Sequence, residues 1–170
     1  MTASGDPTYW DYLKLDQLLN LQNGFSADES VLSEDELHFI VVHQVTELWF
    51  KVILRELRLA RNKLSGDWIK EEEVQFVVHH LQRVNEVFRI AVDYFRVLET
   101  LTPQDFLAFR KQLGTATGAQ SYQLREIEII LGITQGDRPV DPNVTAPFDP
   151  IKYLVSAAEK SPSGKNIIER

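Results

Sequence analysis

Between Ser33 and the Ser65-Gly66 pair the chain runs without a proline or a glycine, and a second such run extends from Lys70 to Leu101. Runs of this length, with apolar residues at three- and four-residue steps, form helices, because strands alternate with period two and are much shorter. The first run, as one unbroken helix, is roughly 48 Å long at about 1.5 Å per residue. Ser33 with Glu36 three residues later has the form of a capping box at its start. The second run places Val74, Val77, Val78, Leu81, Val84, Val87, Phe88, Ile90, Ala91, Tyr94, Phe95 and Leu98 in the same rhythm. A link this short between two long helices leaves them antiparallel, so the expected fold is all-α, a helical bundle with one long antiparallel pair.

The remaining elements are shorter. "DYLKLDQLLNLQNG" predicts a helix through Tyr12, Leu13, Leu15, Leu18, Leu19 and Leu21, stopped at Asn23-Gly24. Thr102-Pro103 reads as an N-cap followed by proline at the first helical position, opening a helix that ends near Leu113 with Gly114 as its stop. "YQLREIEIIL" is a short helix closed by Gly132. "TQGDRPVDPNVTAPFDP" holds four prolines and reads as an extended connector, after which Asp149-Pro150 opens a last helix, "IKYLVSAAEK". A chain of 170 residues fits a single domain, here 1–170, with a core over 9–132 and a connector and terminal helix over 133–170.

Composition narrows the chemistry. With no cysteine, disulfides, thiolate metal sites, iron–sulfur clusters and a cysteine nucleophile are excluded. The net charge is -7 and the basic residues are scattered, which argues against a nucleic-acid surface. "MTASGDPTYW" has neither a basic start nor an apolar core, so no secretory signal is expected. His43, Gln44 and Glu47 interrupt the longest apolar run, so no membrane span is expected and the cytoplasm is the default location.

Those same interruptions raise the functional question. In "DELHFIVVHQVTELWFKVILREL", Phe39, His43 and Glu47 follow one another at four-residue steps and share a helix face. A histidine there is either a core residue bonded to Glu47 or a neighbouring helix, or a pocket residue with Phe39 as an apolar wall. Phe106 and Arg110 are again four apart, a pairing suited to gripping a carboxylate while the ring packs on the ligand body. The bland alternative for Arg110 is a surface ion pair. The loop "GTATGAQS" is small enough for its backbone to approach a flat ligand. No Glu-x-x-His pair of the di-iron type occurs, and the adjacent His79 and His80 point in different directions.

Taken in order, "YWDYLKLDQLLNLQ", "HQ-x-x-ELWFK" and "LETLTP-x-x-F-x-x-FR", followed by "QLGTATGAQSYQLREIEIILG", resemble the tryptophan 2,3-dioxygenase family over about residues 9–132. The resemblance implies an all-helical homotetramer that binds haem b and opens the indole C2–C3 bond of tryptophan to give N-formylkynurenine. It implies that His43 is the distal histidine near the indole nitrogen, that Phe39 and Phe106 wall the indole pocket, and that Arg110 clamps the substrate carboxylate. Tyr9, Tyr12 and Leu13 match the N-terminal segment that reaches into a neighbouring subunit's pocket, and Thr117 stands where the family has a serine beside the haem edge. The family's proximal haem histidine and a Gly-Thr-Gly-Gly loop belong to a C-terminal half with no counterpart after Gly132, and all four histidines lie at or before His80, so the metal ligand is left unassigned. "ATGAQS" replaces the family's "ASGFQS", and His38 replaces a typical apolar residue. Two readings follow: a dioxygenase acting on tryptophan or a related indole, or a truncated or divergent member that binds an indole ligand or a partner subunit without activity of its own.

Overall fold

A computed structural model describes residues 6–25, 28–114 and 116–133. Six α-helices follow in order: α1 Tyr9–Leu13, α2 Leu15–Leu18, α3 Glu34–Leu64, α4 Glu71–Leu98, α5 Pro103–Phe109 and α6 Tyr122–Ile130, with 3₁₀ turns at Glu29–Val31 and Gly118–Gln120. No strand occurs among the described residues, in agreement with the all-α reading. The chain divides into two compact units, Met1–Gln44 with Val97–Gly114 and Val45–Arg96 with Thr115–Arg170, so the division falls inside α3. The proline-rich connector and the helix expected after Pro150 lie outside the described residues.

Three local departures from the sequence reading stand out. The N-terminal helix is broken at Lys14, which adopts the left-handed conformation (φ 54°) and caps α1 by donating its N–H to the Asp11 carbonyl. Its leucines bury no continuous face (Leu19 is 55% exposed), so packing does not hold the two pieces in one helix. Helix α5 starts as expected, with a full Thr102/Asp105 capping box and Pro103 behind it, but ends at Phe109. Residues 110–114 instead form a turn closed by Gly114, whose φ of +56° suits a residue without a Cβ. At the start of α3 only half of the expected box forms: the Glu36 N–H donates to Ser33 Oγ at 3.1 Å, while the Glu36 carboxylate faces Gln112.

In the second unit, Ile53, Leu54 and Leu57 of α3, Val84 and Val87 of α4, and Ile127 of α6 form the core, flanked by Trp49, Phe50 and Phe88. Each aliphatic side chain buried this way contributes roughly 1.5–3 kcal/mol. The antiparallel register is fixed by polar contacts whose numbers fall on α4 as they rise on α3. Lys63 Nζ donates to Glu73 at 2.6 Å, and further along Glu56 meets His80 and, at 2.9 Å, Arg83. Glu56 is buried, so its charge is tolerated only with such donors around it. Arg58 holds Glu126 of α6 with two guanidinium nitrogens, and Gln123 donates to Glu47 at 2.7 Å. Helix α3 is long and apolar enough to cross a bilayer by length and composition. Its C-terminal half carries the buried, ion-paired Glu56 and the core residues Ile53, Leu54 and Leu57.

Candidate functional site

The first unit gathers the aromatic residues singled out from the sequence. Phe39 and His43, one turn apart on α3, stack with ring centroids 4.0 Å apart. Phe106 of α5 lies 5.8 Å from Phe39, and Phe109 completes the cluster at 5.5 Å from both rings. Phe109 is 1% exposed, whereas Phe39, His43 and Phe106 are half-buried. The fully buried ring therefore supports the other three, which present an apolar surface with one imidazole in it. Sequence reading had not singled out Phe109. Its signal was its position three residues after Phe106, on the same side of a short helix.

The hydrogen bond of His43 decides its tautomer. Nδ1 lies 2.7 Å from the Phe39 carbonyl oxygen, which only accepts, so Nδ1 carries the proton. In the neutral ring that leaves Nε2 as the acceptor, available to an N–H donor on a ligand. Glu47, which the sequence offered as an alternative partner, is engaged instead by Gln123 within the second unit. The other three histidines each commit a nitrogen to a protein partner. His38 Nε2 donates to the Val97 carbonyl at 3.0 Å, His80 Nδ1 meets Glu56, and His79 Nε2 faces Arg83 at 3.1 Å. Among the described residues, no group of three or more His, Asp or Glu side chains is placed to hold a metal ion.

Arg110 follows Phe106 by one turn, its N–H donating to the Phe106 carbonyl at 2.9 Å. Its guanidinium Nη1 donates to the Gly114 carbonyl at 2.8 Å. Among the described residues no ion pair involves Arg110. A half-buried arginine steadied by a neutral carbonyl keeps its full positive charge and most of its five N–H donors for an anionic group. The surface ion pair that the sequence left open does not occur there.

The other expected site residues are placed as follows. Tyr9, Tyr12 and Leu13 lie on α1 of the first unit and are 76%, 77% and 41% exposed. Thr117 is exposed in the second unit, where its carbonyl accepts the Gln120 N–H at 2.9 Å ahead of α6. Phe39, His43, Phe106 and Arg110 thus occur together in one compact unit, and Thr117 belongs to the other.

Comparison with known proteins bears on what this arrangement serves. The family model described as tryptophan 2,3-dioxygenase matches residues 1–149. Tryptophan 2,3-dioxygenase 2 of Ralstonia nicotianae is 51% identical over 131 residues, 77% of this chain and 36% of that protein. Tryptophan 2,3-dioxygenase of Sorangium cellulosum is 48% identical over 128 residues (75% and 31%), and tryptophan 2,3-dioxygenase 1 of R. nicotianae 43% over 132 residues (78% and 42%). The matched stretch spans between about a third and two-fifths of the length of these relatives.

Proposed function

Because this chain belongs to the tryptophan 2,3-dioxygenase family, we propose that its first unit forms the substrate-facing part of a haem-dependent dioxygenase site for L-tryptophan or a related indole. The reaction is oxidative opening of the indole C2–C3 bond to N-formylkynurenine. The observation that carries this reading is the pairing of an imidazole with its Nε2 uncommitted, set in an aromatic wall, with an arginine that no carboxylate of the described residues neutralises. An amino acid with a flat apolar side chain, one ring N–H and a carboxylate asks for those three features.

The chain's own residues then have distinct tasks. Phe39 and Phe106, supported by Phe109, receive the indole ring and exclude water from its faces. His43 Nε2 accepts the indole N–H and so fixes which edge of the ring is presented. Arg110 holds the carboxylate with the donors that Gly114 leaves over. Haem b, when bound, supplies the oxygen chemistry, with the protein providing orientation and polarity. The first unit's residues are assigned to the substrate side of such a group, and the family resemblance alone suggests Thr117 for its edge. His38, His79 and His80 each have one ring nitrogen bonded to protein and none is assigned as an axial ligand, because the family resemblance sets the proximal histidine in the C-terminal half. The iron ligand is therefore assigned to sequence corresponding to the part of the relatives that this chain does not match. The exposed rings of Tyr9 and Tyr12, with Leu13, suit a segment that packs into a neighbouring subunit of a cytoplasmic homo-oligomer.

An iron ligand assigned outside the matched stretch favours a second reading, in which the chain binds an indole ligand or a partner subunit without turning substrate over by itself. Titration with haemin separates the two. A shifted Soret band followed by product formation with tryptophan, reductant and O₂ supports the stand-alone dioxygenase, and an unperturbed band excludes it. Arg110→Ala should weaken tryptophan binding by roughly 2–5 kcal/mol where the bound ligand completes the burial of the now half-buried guanidinium, the range for losing one partner of a buried charge pair. Binding of tryptamine, which lacks the carboxylate, should not change. Equal tryptophan affinity in wild type and variant would remove Arg110 from the site.

A further inference from the structure

We infer that Glu36 is a positioning residue for Arg110, acting through Gln112 and the Arg110–Gly114 turn. The inference rests on the assignment of Arg110 to the ligand carboxylate.

Glu36 is 4% exposed, and a carboxylate so deeply buried must be met by donors. The side-chain donor facing it is Gln112. An amide oxygen turned toward a carboxylate would be repelled, so the nitrogen faces it and donates to Glu36 Oε1 at 2.9 Å, with Oε2 also within reach. Both residues belong to the first unit. Glu36 is itself held in place, because Ser33 Oγ accepts its N–H at 3.1 Å at the start of the 31-residue α3. The carboxylate is therefore anchored to a rigid element.

Gln112 is not. It sits in the middle of the turn after α5, a helix of only seven residues. The turn's own hydrogen bonds are long beyond Gln112 itself, with Leu113 N–H to the Arg110 carbonyl and Gly114 N–H to the Lys111 carbonyl both at 3.3 Å. Such bonds at the outer edge of useful geometry do not fix a turn by themselves. Yet the Gly114 carbonyl at its end holds the Arg110 guanidinium at 2.8 Å. The order of dependence runs from Glu36 to the Gln112 amide, from Gln112 to the shape of the turn, and from the Gly114 carbonyl to the direction of the guanidinium. Glu36 also lies one turn ahead of the Phe39–His43 face, so one end of α3 sets both the aromatic wall and the cation.

The test uses the 170-residue chain and reads Arg110 in two ways. The first is the side-chain ¹⁵N signal of Arg110 without ligand, which reports how freely the guanidinium rotates. The second is the ratio of tryptophan to tryptamine affinity. Gln112→Ala, at an exposed position, with its fold checked by circular dichroism, is expected to free the Arg110 signal. It should also lower the affinity ratio about tenfold, the size of one net hydrogen bond to a charged group. Glu36→Ala is expected to do the same, and Glu36→Gln, which keeps an acceptor oxygen opposite Gln112, to retain most of the wild-type ratio. An Arg110 signal and ratio unchanged in Gln112→Ala would overturn the inference, whatever Glu36→Ala does to folding. A wild-type chain that binds tryptophan no better than tryptamine would overturn the assignment of Arg110 to the ligand instead, and the ¹⁵N signal would still decide whether Glu36 positions it.

Discussion

Replacing Glu56 by glutamine tests whether the buried ion pair in the second unit holds the long helix pair together. Glu56 is 5% exposed and accepts from His80 Nδ1 and from Arg83 Nη1. Burial is the largest influence on its carboxyl and pushes its pKa up. The hydrogen bonds from His80 and Arg83, with their nearby charge, outweigh burial and hold it below the usual 4.5. A hydrogen bond to a charged group contributes about 1.5–3 kcal/mol, which applies to the buried His80 contact. The Arg83 side chain is 48% exposed, so its contact with Glu56 adds about 1 kcal/mol at most. Glutamine keeps the volume and one acceptor oxygen, recovering about 1 kcal/mol of this as a neutral hydrogen bond. Glu56→Gln should therefore lose about 2 kcal/mol near neutral pH. Because the folded carboxyl titrates below 4.5, the stabilisation is fully present above that value and fades as pH falls through the folded pKa. Urea unfolding of both proteins at neutral pH and at several values below 4.5 measures this directly. The difference should shrink steadily in acid. A variant as stable as wild type at neutral pH, or a gap that does not narrow in acid, would refute the reasoning.

Two further outcomes follow from the first unit. Phe109→Ala removes the 1%-exposed ring behind Phe39 and Phe106 and should cost about 3–5 kcal/mol in chemical denaturation, a large-to-small change in a packed aromatic cluster. Gly114→Ala meets no atom within 4 Å of the added Cβ, so its cost is the backbone's alone. At φ +56° that cost is about 1–2 kcal/mol, and thermal unfolding should show it without any change in helix content.

Much of this protein was legible in its sequence because the controlling physics is local. Glycine and proline stops, capping pairs and the three-four rhythm placed α3, α4 and α6 and the start of α5, since each signal acts within one or two helical turns. Helical spacing also put His43 beside Phe39, and Arg110 one turn beyond Phe106. Where local signals competed with packing they misled. The leucines before Asn23 promised one helix but bury no shared face, and the chain breaks at Lys14. Gly114 marked the end of a helix that had already ended at Phe109.

The tertiary structure alone decided the rest. That Phe109 backs the cluster, that Gln112 meets Glu36, that Gly114 rather than a carboxylate steadies Arg110, and that Glu56 finds His80 and Arg83 are facts about packed faces. The partner of His43 belongs here too, because the spacing offered Glu47 or a neighbouring helix and the bond goes instead to the Phe39 carbonyl. Periodicity states which residues share a face. It carries no information on which residue of a distant segment that face will meet, and that choice sets the charge and direction of every group in the site.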